Sequence, residues 1–518
     1  MIQAFNISVY TGPDGLIPSW EIDMLRQLQQ EGLADRFRFF TAPGPEAEKS
    51  PFLYRCFGRL EKSWFNKLPD SLQLIPVSRF FPESGERNQG DKDTDLIILS
   101  SLVHPSFTPP HIPAMGIWQT LPGGIAGEKD PAFWPVMNNS EVLHNTLSVQ
   151  FPGSSSPLLV YDGYTSIVPF SVRNSHILQA SKAAGYLCWR LKELRQNGLA
   201  AFKEKYEQQS AAARQTAKQK KPGNGQMAFL FFRNLFRYAA YRVKNWFPSA
   251  SFRLFYKKDI YSGQAPDIRS FTTLKAPPGF FWADPFVIKE GAVAYIFFEE
   301  FDYRKNKGHI SLIRIDENGN RTDRAIVLEK PHHLAYPFVF RHKRDFYMLP
   351  DTSAERCVEL FKAAAFPGSW EPVKKLLTGL VLIDPTLLFE NGKWWLFGTA
   401  AGQELTSTND QLLLYYSDDL LEGDWIPHPQ NPVVTDIAGC RPAGAIIRFE
   451  GQLYRPAQNN ASRQYGYGLT MKRITRLTET DYEEETAWAL LPEQTPRLKA
   501  IHTLNCDGDC IVTDGIAR

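Results

Sequence analysis

The chain has 518 residues, 43% hydrophobic and 13% aromatic, with 58 Lys and Arg against 56 Asp and Glu for a formal net charge of +2. That length exceeds one ordinary core and points to two domains, and the balanced charge excludes a dedicated nucleic-acid binder. No apolar run approaches the ~20 residues that span a bilayer, and the first ten residues read as a strand rather than a secretion signal, so a cytoplasmic protein is expected.

In chain order, residues 2–10 alternate as a strand, residues 19–31 have helical spacing with Ser19 as N-cap, and residues 94–100 form a short buried-strand run. Strand, helix, strand predicts an open α/β sheet whose ligand crevice lies beyond the strand C-termini. A Pro- and Gly-rich stretch, residues 104–134, follows. The succession of Gly116-Ile117-Trp118, Gly123-Gly124, Phe133-Trp134, Asn145-Thr146 and a helix over 175–196 resembles a formyltransferase-type domain. The resemblance implies an Asn and a His near residues 116–120 and a later Asp. Trp118, Gln119 and Thr120 stand there instead, so the domain is expected to bind a ligand or support the second half rather than transfer a formyl group.

Residues 211–226 are polar and basic, and Lys220-Lys221-Pro222-Gly223-Asn224-Gly225 reads as a linker. Beyond it Phe229, Phe232, Phe236, Ala239, Val243 and Trp246 recur at three- and four-residue steps, with Arg233, Arg237 and Lys244 on the other side. A helix over 229–247 with such faces can lie in a membrane interface, giving peripheral contact at the inner face of the membrane. It can equally dock against protein, the expected outcome, because most amphipathic helices of soluble chains bury their apolar face. The boundaries predicted are an α/β domain over 1–205, linker and helix over 206–250, and an all-β domain over 251–518.

In the second half one phrase recurs five times with changes: Trp282-Ala283-Asp284-Pro285-Phe286, Leu334-Ala335-Tyr336-Pro337-Phe338, Leu382-Ile383-Asp384-Pro385-Thr386, Cys440-Arg441-Pro442-Ala443-Gly444 and Ile501-His502-Thr503-Leu504. Each opens an apolar run, passes a short polar turn and returns as a second apolar run. Hairpins at roughly 50-residue spacing predict a five-bladed β-propeller. With a rise of about 3.3 Å per residue, Asp284 is expected to face Glu300 at one end of the funnel. Likewise Tyr336 should face Asp351, Asp384 Thr399, Arg441 Gln458, and His502 Asp514. Asp-Pro alone is also an ordinary strand start. A turn, however, keeps its turn-former, whereas here the residue before Pro changes from Asp to Tyr to Asp inside a constant frame.

The six cysteines are scattered, as reduced thiols are. Cys506 and Cys510 flank Asp507-Gly508-Asp509, a strong hairpin-turn signal with too few ligands around it for a metal. Neither a metal nor a cofactor is expected.

Several phrases resemble the family named for the N-terminal part of plant glucosamine inositolphosphorylceramide transferase. They include Trp282-Ala283-Asp284-Pro285-Phe286, Phe298-Glu299-Glu300-Phe301, Tyr347-Met348-Leu349-Pro350-Asp351, Trp394-Trp395-Leu396-Phe397, Arg441-Pro442-Ala443-Gly444 and His502-Thr503. Asp351 stands where that family implies Glu. The family is similar in turn to five-bladed propeller glycosidases of the arabinanase and invertase kind, which set acids from successive blades around a furanose ring. The resemblance implies a glycosyltransferase-like enzyme of cell-surface polysaccharide or glycolipid synthesis, with an activated nucleotide- or lipid-linked sugar donor and a glycan or glycolipid acceptor. Asp284 is then the base, with Asp384 and Glu300 as the other catalytic carboxylates. Arg441 and His502 hold the leaving group, and Tyr336, Asp351, Gln458 and Trp282 line the substrate. The same carboxylates would serve a furanoside-acting hydrolase, and the same rim a non-catalytic glycan-binding propeller.

Overall fold

The structure is a computed structural model that describes residues 4–43, 50–64, 72–81, 93–104, 106–124, 130–209, 220–244, 252–400, 409, 411–462, 466–495 and 498–517. It divides into two compact units, Met1–Lys244 and Asn245–Arg518.

The first unit is built on a six-stranded sheet ordered Ala34–Thr41, Phe5–Thr11, Leu96–Leu99, Ile117–Pro122, Val142–Gln150, Leu158–Ser166. Its first four strands are parallel and the last two antiparallel. Helix Ser19–Gln30 and the long helical run Val172–Gln209 share a core with the sheet through Leu25, Leu28, Leu187 and Leu191. Ser19, expected to cap its helix, is instead the first helical residue after Pro18. The long run breaks at Gly198, whose φ of 78° only glycine adopts without strain. Its N-terminus takes a distant cap, with the Glu61 carboxylate accepting from the Val172 and Arg173 amides at 2.7 and 3.0 Å.

Helix Asn224–Lys244 belongs to this unit rather than to a separate linker. Met227 and Leu230 bury against Phe57, Phe133 and Val136, and Arg233 donates to the Met137 carbonyl at 2.6 Å. The docked face is therefore not the predicted one: the stripe of Phe229, Phe232 and Phe236 stays exposed. Trp246 lies outside the described residues.

The second unit is the predicted five-bladed propeller, five four-stranded antiparallel sheets. Blade 1 runs Phe280–Glu290, Val293–Asp302, Lys307–Ile315, Ala325–Leu328; blade 2 runs Ala335–His342, Asp345–Asp351, Cys357–Ala365, Ser369–Thr378. Blade 3 is Leu382–Glu390, Lys393–Ala400, Leu412–Ser417, Ile426–Pro427, and blade 4 is Ile447–Phe449, Gln452–Asn459, Gly468–Leu477, Tyr482–Leu490. Blade 5 combines the two ends of the unit: Leu498–Asp507 and Cys510–Ala517 pair onward with Phe252–Lys258 and Thr272–Leu274. Completing the last blade with strands from both ends closes the ring, so that each blade shares a core with a neighbour on both sides.

The recurring phrase opens the inner strand in blades 2 and 3, lies inside it in blades 1 and 5, and precedes it in blade 4. Each of blades 1 to 3 carries a bulge where the ladder skips the residue before Pro and the Pro itself. Asp284, Tyr336 and Asp384 there have φ of 51°, 47° and 53°. Pro has no N–H for the ladder, and the bulge turns its preceding side chain off the sheet toward the axis. A left-handed non-glycine residue costs roughly 1–3 kcal/mol, so three of them need compensation.

The ring closure is itself testable. Leu254 is 1% exposed on the strand donated to blade 5 and packs with Trp282, Ile296 and Val512. Leu254→Ala is expected to cost about 2–5 kcal/mol, and chemical denaturation followed on the propeller should show the whole ring losing stability rather than one frayed strand.

Candidate active site

The three bulged amides point away from their ladders, and a carboxylate of the preceding blade takes each one. Asp514 accepts from the Asp284 amide at 2.9 Å, Asp284 from the Tyr336 amide at 3.3 Å, and Asp351 from the Asp384 amide at 3.3 Å. Carboxylates are drawn to the axis by the same bonds that relieve the bulges. On the remaining side Arg441 Nε and Gln458 Nε2 donate to Asp384 Oδ2, at 2.5 and 3.1 Å. Asp284, Asp351, Asp384, Gln458, His502 and Asp514 are all buried.

His502 lies between two acids: Nδ1 is 2.7 Å from Asp514 Oδ1 and Nε2 is 3.2 Å from Asp284 Oδ1. Its ring packs on Phe252, with centroids 4.4 Å apart. Burial by itself would drive the imidazole toward its neutral form. The carboxylates of Asp514 and Asp284 outweigh that and push its pKa up to about 10, so it stands as an imidazolium at neutral pH. One ligand atom each of Asp284, His502 and Asp514 falls within 4.8 Å of the others, a spacing a cation could bridge. With both ring nitrogens already facing carboxylates, the imidazolium supplies that positive charge.

Asp384 is pushed up to about 7 by burial, with Asp284 and Asp351 adding to the rise and Arg441 opposing it. Glu299 goes further. Burial and then the Asp284 charge hold its carboxyl well above the usual carboxylate range, Asp514 and Asp384 add to this, and His502 opposes it. The site thus places a carboxyl held well above the usual carboxylate range among carboxylates anchored by cations, the separation on which acid and base roles are built.

Glu299 replaces one residue expected here. The ladder pairs Ala283 with Glu299 and Trp282 with Glu300, and successive strand residues face opposite ways. Glu300 turns into the blade, accepting from Trp282 Nε1 at 2.8 Å, Ser311 Oγ at 3.0 Å and Arg324 at 2.7 Å, with His309 Nε2 at 2.9 Å. Trp282 sits in the same interior beside Phe298. Glu300 and Trp282 are thus structural partners of each other, and the expectation that they serve catalysis and substrate fails by a one-residue register. The available signal was the turn at Gly291-Ala292: with Glu290 opposite Val293, counting back along both strands brings position 284 to 299.

Tyr336 is corrected in another way. Its side chain is fully buried, and its hydroxyl crosses from blade 2 to Thr386 of blade 3 at 2.9 Å and takes the Gly444 amide of blade 4 at 2.7 Å. It pins the ring together across the axis instead of presenting a face to substrate. Gly444 has to be glycine, because a Cβ there would lie 2.2 Å from the Leu504 carbonyl oxygen. Of the other expected pairs, Arg441 and Gln458 meet, the Gln458 backbone amide donating to the Arg441 carbonyl at 2.8 Å, and His502 meets Asp514, whereas Thr399 lies opposite Ile383 rather than Asp384. Asp507 and Asp509 tie the far end of blade 5 to Lys289, outside the acid cluster. All six cysteines are free thiols.

The site is therefore that of a closed five-bladed propeller whose axis gathers carboxylates from blades 1, 2, 3 and 5. Residues 269–501, which carry most of it, match the family model of glucosamine inositolphosphorylceramide transferase 1, N-terminal. Glucosamine inositolphosphorylceramide transferase 1 of Oryza sativa subsp. japonica is 34% identical over 210 residues, 40% of this chain and 28% of that protein. The protein of the same name from Arabidopsis thaliana is 32% identical over 218 residues, 42% of this chain and 28% of its own length. The match thus spans under a third of these relatives. Among solved structures, a family 117 glycoside hydrolase of Zobellia galactanivorans aligns with 14% identity and a TM-score of 0.34 over 52% of this chain and 92% of its own. An exo-1,5-α-L-arabinanase from a bovine ruminal metagenomic library aligns with 12% identity and a TM-score of 0.31, over 42% and 86%.

His502 gives the site a pH signature. A raised pKa means that its stabilising contribution is complete below the ordinary value of 6.5 and is lost as pH rises through about 10. Melting temperature should fall across that window in the unmodified protein, and His502→Gln should be less stable at pH 7 yet lack the fall. Tyr336→Phe leaves the Gly444 amide and the Thr386 hydroxyl without their shared partner, and should cost about 1–3 kcal/mol by denaturant titration.

Proposed function

We propose that the protein is a glycosyltransferase of cell-surface glycan or glycolipid synthesis that holds its sugar over the acid cluster of the propeller. One observation carries the reading: the stretch that resembles the glucosamine inositolphosphorylceramide transferases includes Asp284, Glu299, Asp351, Asp384 and Arg441, residues that meet at one axis. Asp284 is the base for the acceptor hydroxyl. Its two protein contacts, at 3.2 and 3.3 Å, are long and orient the carboxylate without consuming its lone pairs. Protonated Glu299 donates a hydrogen bond or a proton to the departing oxygen. Asp384, steered by Arg441 and Gln458, stabilises positive charge developing at the sugar ring. The donor is an activated, nucleotide- or lipid-linked sugar and the acceptor a glycan or glycolipid, handled on the cytoplasmic side of a membrane.

The first unit is read as a formyltransferase-like domain without formyl chemistry. Trp118, in the place of the catalytic residues that resemblance implies, is fully buried against Phe202 and donates to the Met115 carbonyl at 2.8 Å. It packs the core.

A second reading, hydrolysis of a furanoside, is favoured by the charge of the cluster. Among the described residues, Asp284, Asp351, Asp384 and Asp514 face two cations, Arg441 and His502, and each cation already pairs with a carboxylate. Such a funnel suits an oxocarbenium-like centre better than a leaving diphosphate.

Turnover assays with a panel of activated sugars, run beside aryl furanosides, separate the two readings. Transfer requires sugar to reach the acceptor, with Asp284→Asn and Glu299→Gln each about 10²-fold slower or more while donor binding by calorimetry persists. Cleavage of an aryl furanoside without any activated donor would establish hydrolysis. Full activity of Asp284→Asn on a verified donor and acceptor would refute the mechanism, and sugar affinity without turnover of any substrate would leave a glycan-binding propeller.

A further inference from the structure

The first unit carries an apolar surface that neither its core nor the propeller chemistry explains. On helix Asn224–Lys244, Phe229, Phe232 and Phe236 are 64%, 66% and 76% exposed, and Tyr241 and Val243 continue the stripe. Helix Phe52–Trp64 exposes Phe52, Leu60 and Trp64 beside it. Between them runs a groove of about 300 Å³, walled by Phe57, Leu60, Trp64, Phe231, Leu235 and Tyr238. Asn234, 8% exposed, lines the same groove with its Oδ1 unpaired.

Charge decides what can cover this surface. The two helices hold seven cations, Arg55, Arg59, Lys62, Arg233, Arg237, Arg242 and Lys244, and one acid, Glu61. Glu61 is buried and committed to the amides of Val172 and Arg173. These 34 residues therefore carry +6 in a chain whose whole charge is +2. A second copy would bring the same charge against itself. Aromatic side chains beside cations match the interfacial zone of an anionic bilayer, where rings settle at headgroup depth and each cation gains from the surface potential.

We propose that this two-helix face docks the protein on an anionic bilayer, and that the groove takes the acyl chain of one lipid. Phe229, Phe232 and Phe236 enter the headgroup boundary, while Arg55, Arg59 and Arg242 meet the phosphates. The groove's apolar walls receive the chain, and the unpaired Asn234 oxygen accepts from a hydroxyl or amide of the lipid near its mouth. Arg233 and Arg237, both bonded to the Met137 carbonyl, hold the helix to the unit rather than reach the lipid. The inference stands apart from the transfer reading, since the surface belongs to the first unit.

The test uses the full chain with vesicles of phosphatidylglycerol and phosphatidylcholine and with vesicles of phosphatidylcholine alone. The protein should sediment with the anionic vesicles, be released by salt, and stay in solution with the zwitterionic ones. Arg55→Gln with Arg59→Gln should weaken binding about 30-fold, and Phe232→Ser with Phe236→Ser about 100-fold or more, both with unchanged melting temperature because these side chains are exposed. Lipid brominated on the acyl chain should quench tryptophan fluorescence more in the unmodified protein than in Trp64→Phe. Absence of sedimentation with anionic vesicles, or equal sedimentation of the variants, overturns docking. Equal quenching in Trp64→Phe overturns the acyl-chain groove. A dimer in solution that Phe232→Ser dissociates assigns the surface to self-association instead.

Discussion

A backbone amide turned out of its strand and caught by a carboxylate of the neighbouring blade is the interaction on which the propeller depends. It occurs from blade 5 to 1, from 1 to 2 and from 2 to 3, through Asp514, Asp284 and Asp351. Each left-handed residue before a Pro is costly, and each amide it frees is buried. Charge-assisted bonds to carboxylates are strong enough to offset both. Where the pattern ends, at blade 4, Gly444 supplies the unusual backbone without a side chain and gives its amide to Tyr336.

The chemistry of the site follows from that architecture. Several carboxylates drawn to one axis repel one another in a medium that solvates them poorly, so some are neutralised by protons and others by cations. Glu299 is raised well above the usual carboxylate range, Asp384 is raised but held by Arg441, and Asp284 and Asp514 share the His502 imidazolium. Structure and chemistry overlap at Asp284, which takes the Tyr336 amide of one bulge and also stands beside Glu299 and His502 in the acid cluster. Replacing Asp284 is therefore expected to cost stability as well as to alter the charge of the cluster.

The first unit obeys different constraints. Its parallel strands need cover, which Ser19–Gln30 and Val172–Gln209 supply, and its long helix needs an anion at its N-terminus, which Glu61 supplies from helix Phe52–Trp64. That cap draws the second helix into place beside Asn224–Lys244, and the groove between them is the consequence. An electrostatic cap on one helix thereby shapes an apolar surface on two others.

The amino-acid sequence by itself determined the two-domain division, the α/β and propeller architectures, the five-fold hairpin repeat, and the presence of Asp284, Asp384, Arg441 and His502 at one axis. These follow from periodicity, and period-2 apolar runs interrupted by turn residues survive any detail of packing. Tertiary structure alone decided what depends on register and on partners distant in the chain. The hairpin register of blade 1, set where Glu290 faces Val293, puts Glu299, not Glu300, beside the acids. The crossing of Tyr336 to Gly444 joins residues 108 apart, and the closure of blade 5 by Phe252–Lys258 joins strands more than 240 residues apart. Helix Asn224–Lys244 shows the same limit, because hydrophobic spacing named an apolar stripe while the neighbours available for packing chose a different face to bury. A local pattern specifies which side chains an element can offer, and only the folded chain specifies which offers are taken.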